Sequence, residues 1–342
     1  MTASSIVEID LPGAREIAGK VFPVAFGPAG PPDPASGGPA SGAGRSIETL
    51  LDWITGNRDE IFDRARDHGA VLLRGFEVAT ADDFARVVDA LELDNMPYVG
   101  GAAVRNRVAG DRVLTANESP PSEPIPFHHE MSQVPEPPHY VVFCCDVPAA
   151  EGGETPILLS NQVYQLARER HPEFMQRVEQ LGVRYRRIMP TEDDPSSAIG
   201  RSWKSTYQAS TREQAEARMR EQQTSWTWLD NGDLETITTA LPAIRTEPRT
   251  GRKTFFNSMI AAYTGWVDRR NDPTRAVQLG DGSPVDHQAM VDIAEIMARH
   301  RVAFAWRKSD VLLVDNRLTM HSRNPFVPPR RILASVARAR RA

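Results

Sequence analysis

The amino-acid pattern predicts an α+β protein with a mainly β core, a barrel or jelly roll closed by strands far apart in sequence. Three observations predict it. Short apolar or alternating runs occur in both the first and the last parts of the chain, a helical and loop-rich stretch separates them, and no internal repeat is apparent. With 342 residues, 40% of them hydrophobic, the chain can build a sizeable core.

Taken in order, residues 1–45 are expected to precede a single domain over 46–342. Within the first segment, Gly27 to Gly44 holds eleven Gly or Pro in eighteen residues and one charge, which predicts a mobile loop. Ser46 to Asp67 has helical apolar spacing at Leu50, Leu51, Ile54, Ile61 and Phe62, with a break at Gly56. It leads to a strand at Ala70 to Arg74 and a second helix at Thr80 to Leu91. Two β-rich runs follow, His139 to Cys145 and Thr155 to Leu159, and the two glycines of the AAEGGE turn between them suit a hairpin or bulge.

From about 161 to 300 the texture is that of an insertion. Helices are expected at Gln162 to Glu169, Pro172 to Leu181 and Asp286 to His300, with an irregular TEDDPSSAIG segment between. Ser210 and Glu213 read as a capping box opening a further helix. Strands resume with the strict alternation of Arg301 to Arg307, then Asp310 to Asp315 and Ile332 to Ala337.

Forty basic against forty-five acidic residues give a net charge of −5 without a long single-sign block, so nucleic acid is not an expected partner. The basic tail Arg338, Arg340 and Arg341 reads as a solvated end. The two cysteines, Cys144 and Cys145, are neighbours, which suits neither an ordinary disulfide nor a zinc finger and predicts a reducing, cytoplasmic setting. No 18-residue apolar run and no basic-then-apolar leader are visible, so neither a membrane span nor export is expected.

The string Pro126-Phe-His-His-Glu-Met131 is the most informative for chemistry. On an extended strand residues i and i+2 share a face, so His128 and Glu130 point together and His129 points away. An imidazole beside a carboxylate is two thirds of a 2-His-1-carboxylate set, which holds Fe(II) and leaves neighbouring positions open. Of the six other histidines, His321 is best placed, following the apolar run 310–316, and His139 is its rival. His68, His171, His287 and His300 lie at helix ends or a glycine turn, where an imidazole meets backbone. Further on, Pro328-Pro-Arg-Arg-Ile presents an arginine at a strand start, a geometry that grips a carboxylate in two places.

With these pieces together the chain resembles the taurine dioxygenase-like, clavaminate synthase-like iron(II) and 2-oxoglutarate oxygenases. The resemblance rests on PFHHEM (126–131), EGGETP (151–156), WRKSDVLLVDN (306–316), and HSRNPF (321–326) followed by Arg330-Arg-Ile, in the family's order from about residue 70 onward. It implies a cupin-like double-stranded β-helix with flanking helices, the insertion 161–300 serving as a lid. It implies that His128, Glu130 and His321 are the catalytic metal ligands. Thr155 and Arg331 would be partners of the distal carboxylate of 2-oxoglutarate, Arg330 taking that place if the register differs by one.

The cofactors implied are Fe(II), 2-oxoglutarate and O2, with hydroxylation of an unactivated carbon of a small amino-acid-like molecule, free or carrier-protein-bound, in natural-product biosynthesis. Desaturation or epoxidation uses the same cofactors. Glu130 in the triad speaks for oxygen transfer over halogenation, and Ser335, where the taurine-oxidising branch has a sulfonate-gripping arginine, speaks against sulfonates. Asn117, Glu118 and Asn257 are expected near the substrate, with Trp203 and Tyr207 as lid aromatics. A zinc-dependent hydrolase or isomerase at the same triad, or a non-catalytic scaffold, are the alternatives; neither needs the Thr155 and arginine pair.

Overall fold

The computed structural model describes residues 6–30 and 44–340. The expected mobile loop falls largely on 31–43, outside the described residues, while Gly27 and Pro28 end a strand, Val24–Pro28. Among the described residues nine strands form one sheet, whose main path runs Ile6–Glu8, Val24–Pro28, Ala70–Leu73, Val311–Asp315, Tyr140–Val147, Arg331–Arg338, Val113–Thr115 and Arg107–Ala109. Facing it, Ile157–Leu159, Thr319–Arg323 and Ile125–His128 form a small three-stranded sheet. Each sheet joins strands from the early and late parts of the chain, so the sequence-distant closure expected of a jelly roll is present.

Alternation along the central strand Tyr140–Val147 explains its near-continuous apolar run. Tyr140, Val142 and Cys144 face the helices Ile47–Gly56, Arg58–His68 and Ala81–Ala90, packing with Leu50, Ile54, Ile61 and Phe84. Val141, Phe143 and Cys145 face the space between the sheets, with Leu312, Val314, Ile332 and Ile157. A strand buried on both faces has no polar side to show. The same alternation turns the two cysteines to opposite faces, and both are buried free thiols.

The small sheet divides its faces likewise. Phe127, Leu158 and Met320 point outward into a core formed with the insertion, including Val163, Met175, Ile293 and Met297. His128, Ile157 and His321 are thereby turned toward the large sheet. The insertion holds the helices Ser160–Arg170, Pro172–Leu181 and His287–His300 and a four-stranded sheet.

Four local expectations are corrected. The strands around the AAEGGE turn do not form a hairpin: Tyr140–Val147 lies in the large sheet and Ile157–Leu159 in the small one, with Glu151–Gly152 pairing to Phe326–Val327 between them. Gly152 and Gly153 take φ of 68° and 72°, which lets the chain turn from one sheet to the other. Second, the helix Arg212–Glu221 is capped one residue later than expected, Thr211 accepting from the Gln214 amide at 3.3 Å while Gln214 accepts from the Ser210 amide. Third, 301–307 keeps its alternating burial but makes only the isolated bridge Val302↔Ile157, with no ladder. Fourth, the helical stretch expected from Ser46 starts one residue later, as Ile47–Gly56 and then Arg58–His68, with Ser46 capping the first.

At the margin of the large sheet's inner face, beside Phe304, Arg74 makes a two-pronged pair with Asp310, 2.9 Å and 2.6 Å, both side chains buried. Removing one partner leaves an uncompensated buried charge, so Asp310→Ala is expected to cost about 3–5 kcal/mol by urea unfolding. Asp111→Ala, which breaks an exposed pair with Arg107, is expected to cost under about 1 kcal/mol. Equal losses would contradict the assignment.

Candidate active site

Antiparallel pairing sets Ile157 opposite His321 and His321 opposite His128, so the three inward side chains lie in one row across the small sheet. The imidazole rings of His128 and His321 have centroids 4.4 Å apart. Because a carbonyl can only accept, His128 Nδ1 donates to Pro126 O at 2.9 Å, which leaves Nε2 with a free lone pair. The Nδ1 of His321 is buried without a hydrogen-bond partner.

Glu130 lies beyond the strand Ile125–His128, in a turn, yet keeps the i+2 relation to His128. Asn316, at the end of the strand Val311–Asp315, holds this turn. Its Oδ1 accepts from the Glu130 amide at 2.8 Å and its Nδ2 donates to the carbonyls of Glu130 and Pro138. Its own carbonyl accepts from Nδ1 of His129 at 2.5 Å. His129 thus points away, stacked on Phe256, as expected of its strand parity.

The Glu130 carboxylate meets Arg105 Nη2 at 2.6 Å and His321 Nε2 at 3.5 Å. Burial would raise its pKa, but Arg105 and the two imidazoles outweigh that and hold it well below the usual carboxylate range. His128 is lowered to about 4, first by burial and then by His321, and His129 to about 3, first by burial. Near neutrality Glu130 is therefore a carboxylate with an unprotonated His128 beside it. His128, Glu130 and His321 can each bring one ligand atom within 4.8 Å of the others, and they are the only such cluster of three among the described residues. His139 takes no part: its Nδ1 accepts from the Ala339 amide.

The cluster opens on a pocket at whose other side stand Thr155 and Arg330. Arg330 Nε donates to Gly153 O at 2.8 Å and Nη2 reaches Thr155 Oγ1 at 3.4 Å, while Trp306 Nε1 donates to the same hydroxyl at 3.0 Å. A Cβ on Gly153 would sit 2.8 Å from Arg330 Cδ, so the glycine makes room for the arginine. Arg331 is corrected here: it is largely exposed, pairs with Asp146 and lines no pocket. The pleat gives the reason. Ile332, Ala334 and Val336 face between the sheets, so Arg330 shares their side and Arg331 lies opposite. Four residues on from Arg330 stands Ala334, which, like Ser335, carries no charge.

Of the residues expected near substrate, Asn117 lines the pocket. Glu118 does not, being exposed. Asn257 is buried in the scaffold, donating to Ala243 O and accepting from the Met259 amide, and its neighbour Ser258 faces the pocket instead. Trp203 and Tyr207 belong to a separate small core with Met189, Met219 and Leu234, Trp203 edge-on to Trp228. Four pocket residues had no signal in the sequence: Tyr98, Arg105, Trp266 and Arg323. Arg323 is buried and donates to the carbonyls of Ser119, Pro120 and Glu123, holding that stretch as a wall. The insertion contributes Ile199, Ser258, Ala261 and Trp266.

Residues 31–337 match the taurine catabolism dioxygenase TauD, TfdA family. The chain belongs to this family. Its members are Fe(II)/2-oxoglutarate-dependent dioxygenases, and the chain is accordingly an enzyme of that class on a jelly-roll fold. It is 44% identical to a clavaminate synthase-like protein of Arabidopsis thaliana over 97% of this chain and 98% of that one. It is 25% identical to the dapdiamide synthesis protein DdaC of Enterobacter agglomerans over 78% of this chain and 80% of that one. In fold it is similar to PvcB, an Fe, alpha-ketoglutarate dependent oxygenase from an isonitrile synthetic pathway, with a TM-score of 0.51 and 16% identity over 97% of this chain and 90% of that one. A taurine dioxygenase from Burkholderia xenovorans gives 0.51 and 12% identity over 98% and 90%.

The donor set fits the family's iron: two imidazoles and one deprotonated carboxylate whose ligand atoms come within 4.8 Å of one another, with Nδ1 of His321 buried and unpartnered. The depressed histidine pKa values carry a prediction for the metal-free oxygenase. Free imidazoles titrate near 6.5, so below that pH the unfolded chain takes up protons that buried His128 and His129 refuse. Stability from these groups is fully present above about pH 6.5 and is lost as pH falls toward 4. The urea midpoint is expected to drop across that window; a flat profile from pH 7 to 4.5 would contradict the assignment.

Proposed function

We propose that the protein uses Fe(II), 2-oxoglutarate and O2 to hydroxylate an unactivated carbon of a small amino-acid-like substrate in a natural-product pathway. His128, Glu130 and His321 hold the iron, and Thr155 with Arg330 takes the distal carboxylate of 2-oxoglutarate. The observation that carries the assignment is one pocket lined both by the three-ligand cluster and by a half-buried arginine beside a threonine hydroxyl. When bound, iron and 2-oxoglutarate supply an oxidant able to act on a C–H bond, the 2-oxo acid leaving as succinate and CO2.

The chain's own residues position and shield. His128 is fixed in one tautomer by Pro126 O, Glu130 is held by Asn316, and Trp306 orients the Thr155 hydroxyl toward its remaining acceptors. Trp266 and Ile199 of the insertion cover the pocket with apolar surface, which keeps water from the reacting centre. A role in natural-product synthesis is supported by the relatives named for dapdiamide synthesis and an isonitrile pathway. The two buried free thiols suit a cytoplasmic setting.

Anaerobic addition of Fe(II) and then 2-oxoglutarate is expected to raise the visible charge-transfer band of a chelated 2-oxo acid, after which amino-acid-like compounds can be screened for coupled succinate formation. Bound metal without a band would move the zinc hydrolase alternative forward. His128→Ala and His321→Ala are each expected to abolish iron binding. Arg330→Ala should keep iron and raise the 2-oxoglutarate requirement tenfold or more, because a charge-assisted contact is lost. Arg331→Ala should match the unsubstituted protein within about twofold; the reverse ranking would overturn the register.

A further inference from the structure

Among the described residues, Arg105 is the pocket cation with a terminal guanidinium nitrogen left unused by the cofactor set and the scaffold. Its side chain is 4% exposed and lies over the Tyr98 ring at 4.5 Å. Of its donors, Nη2 meets Glu130 at 2.6 Å, while Nε and Nη1 are buried with no hydrogen-bond partner. A buried guanidinium N–H without a partner is costly, and one that borders a cavity is free to donate to a ligand there. Of the other two pocket arginines, Arg323 spends both terminal nitrogens on backbone carbonyls and leaves only Nε without a partner, and Arg330 meets Gly153 and Thr155.

Charge balance points the same way. Glu130 is the only acidic side chain lining the pocket among the described residues. Once iron draws on that carboxylate, and the distal carboxylate of 2-oxoglutarate engages Arg330, the Arg105 charge is left without a full counter-charge inside a buried cavity. An additional anion at Arg105 offsets that charge. For the same reason no carboxylate remains to pair with a substrate ammonium. Ile125, Pro126, Ile199 and Trp266 give the pocket apolar wall, beside the neutral polar side chains of Asn117, Gln133 and Ser258.

From these observations we propose that Arg105 anchors the substrate through a carboxylate, and that the substrate is a small monoanionic acid without a free ammonium group, such as an N-acylated aliphatic amino acid. The inference deepens the oxygenase reading and rests on it. Nη1 or Nε of Arg105 donates to the acid, Nη2 stays on Glu130, and the apolar wall takes the aliphatic part. This ties the substrate to the same guanidinium that touches an iron ligand, placing its carbon chain beside the metal.

The test is binding to the anaerobic Fe(II) and 2-oxoglutarate complex, by calorimetry and by perturbation of the charge-transfer band. The probes are N-acetyl-L-leucine, N-acetyl-L-valine, their primary amides, and free L-leucine. The acids are expected to bind tenfold or more tighter than their amides and than L-leucine. In Arg105→Gln this preference should shrink to within about twofold with the band still present, and Arg105→Lys should recover part of it. Acids and amides binding alike in the unsubstituted protein, or a preference that survives in Arg105→Gln, would overturn the proposal. So would loss of the band in Arg105→Gln and Arg105→Lys alike, which would make Arg105 part of the cofactor site. Calorimetry reads the acid preference whether or not a band forms, so failure of the oxygenase reading shows separately as a missing band in the unsubstituted protein.

Discussion

The backbone register between Ile125–His128 and Thr319–Arg323 is the constraint on which the site depends. It sets two histidines nearly two hundred residues apart in the chain on adjacent strands and on the same face. Because side chains alternate with a period of two, a slip of one residue would turn one ring into the insertion core and bring Phe127 or Met320 inward. The outward apolar residues therefore protect the register: burying Phe127, Leu158 and Met320 under the insertion is what keeps His128 and His321 inside. Asn316 completes the arrangement at the point where the strand ends and regularity can no longer hold Glu130.

Stability and function are arranged in separate layers around this row. The face of the large sheet that meets the helices is dry and apolar. The face toward the small sheet carries apolar residues over most of its length, with the Arg74 and Asp310 pair at its margin, and gives way to further charged groups at the pocket, where Arg330 precedes the strand Arg331–Arg338. Buried charges there are balanced locally, Arg105 against Glu130, with Arg330 and Arg323 bound to backbone oxygens. Such a site is costly to assemble empty and is poised for anionic ligands.

Much of this was legible in the sequence where a short-range rule governs the answer. His128 and Glu130 followed from strand parity, the helices from apolar spacing, and the jelly roll from strands at both ends of an insertion. Arg331 was preferred over Arg330 because the phase of the last strand depends on which face meets the small sheet, a tertiary fact; once Ile332, Ala334 and Val336 are known to face inward, Arg330 follows. Asn257, Trp203 and Tyr207 misled because a buried polar or aromatic residue looks the same in sequence whether it lines a pocket or a scaffold. Arg105 and Asn316 carried no periodic signal, since they act from a loop and a strand end through contacts to residues far away in the chain.

The most direct measurement on the central claim is the iron(II) affinity of Asn316→Ala, taken anaerobically beside its thermal unfolding. If register and the Asn316 clamp together build the site, the variant should stay folded with native circular dichroism and bind iron about 10–100-fold more weakly, the effect expected when a residue that orients a ligand is lost. Unchanged affinity in the folded variant would contradict the account, because Glu130 would then be held in place by something other than Asn316.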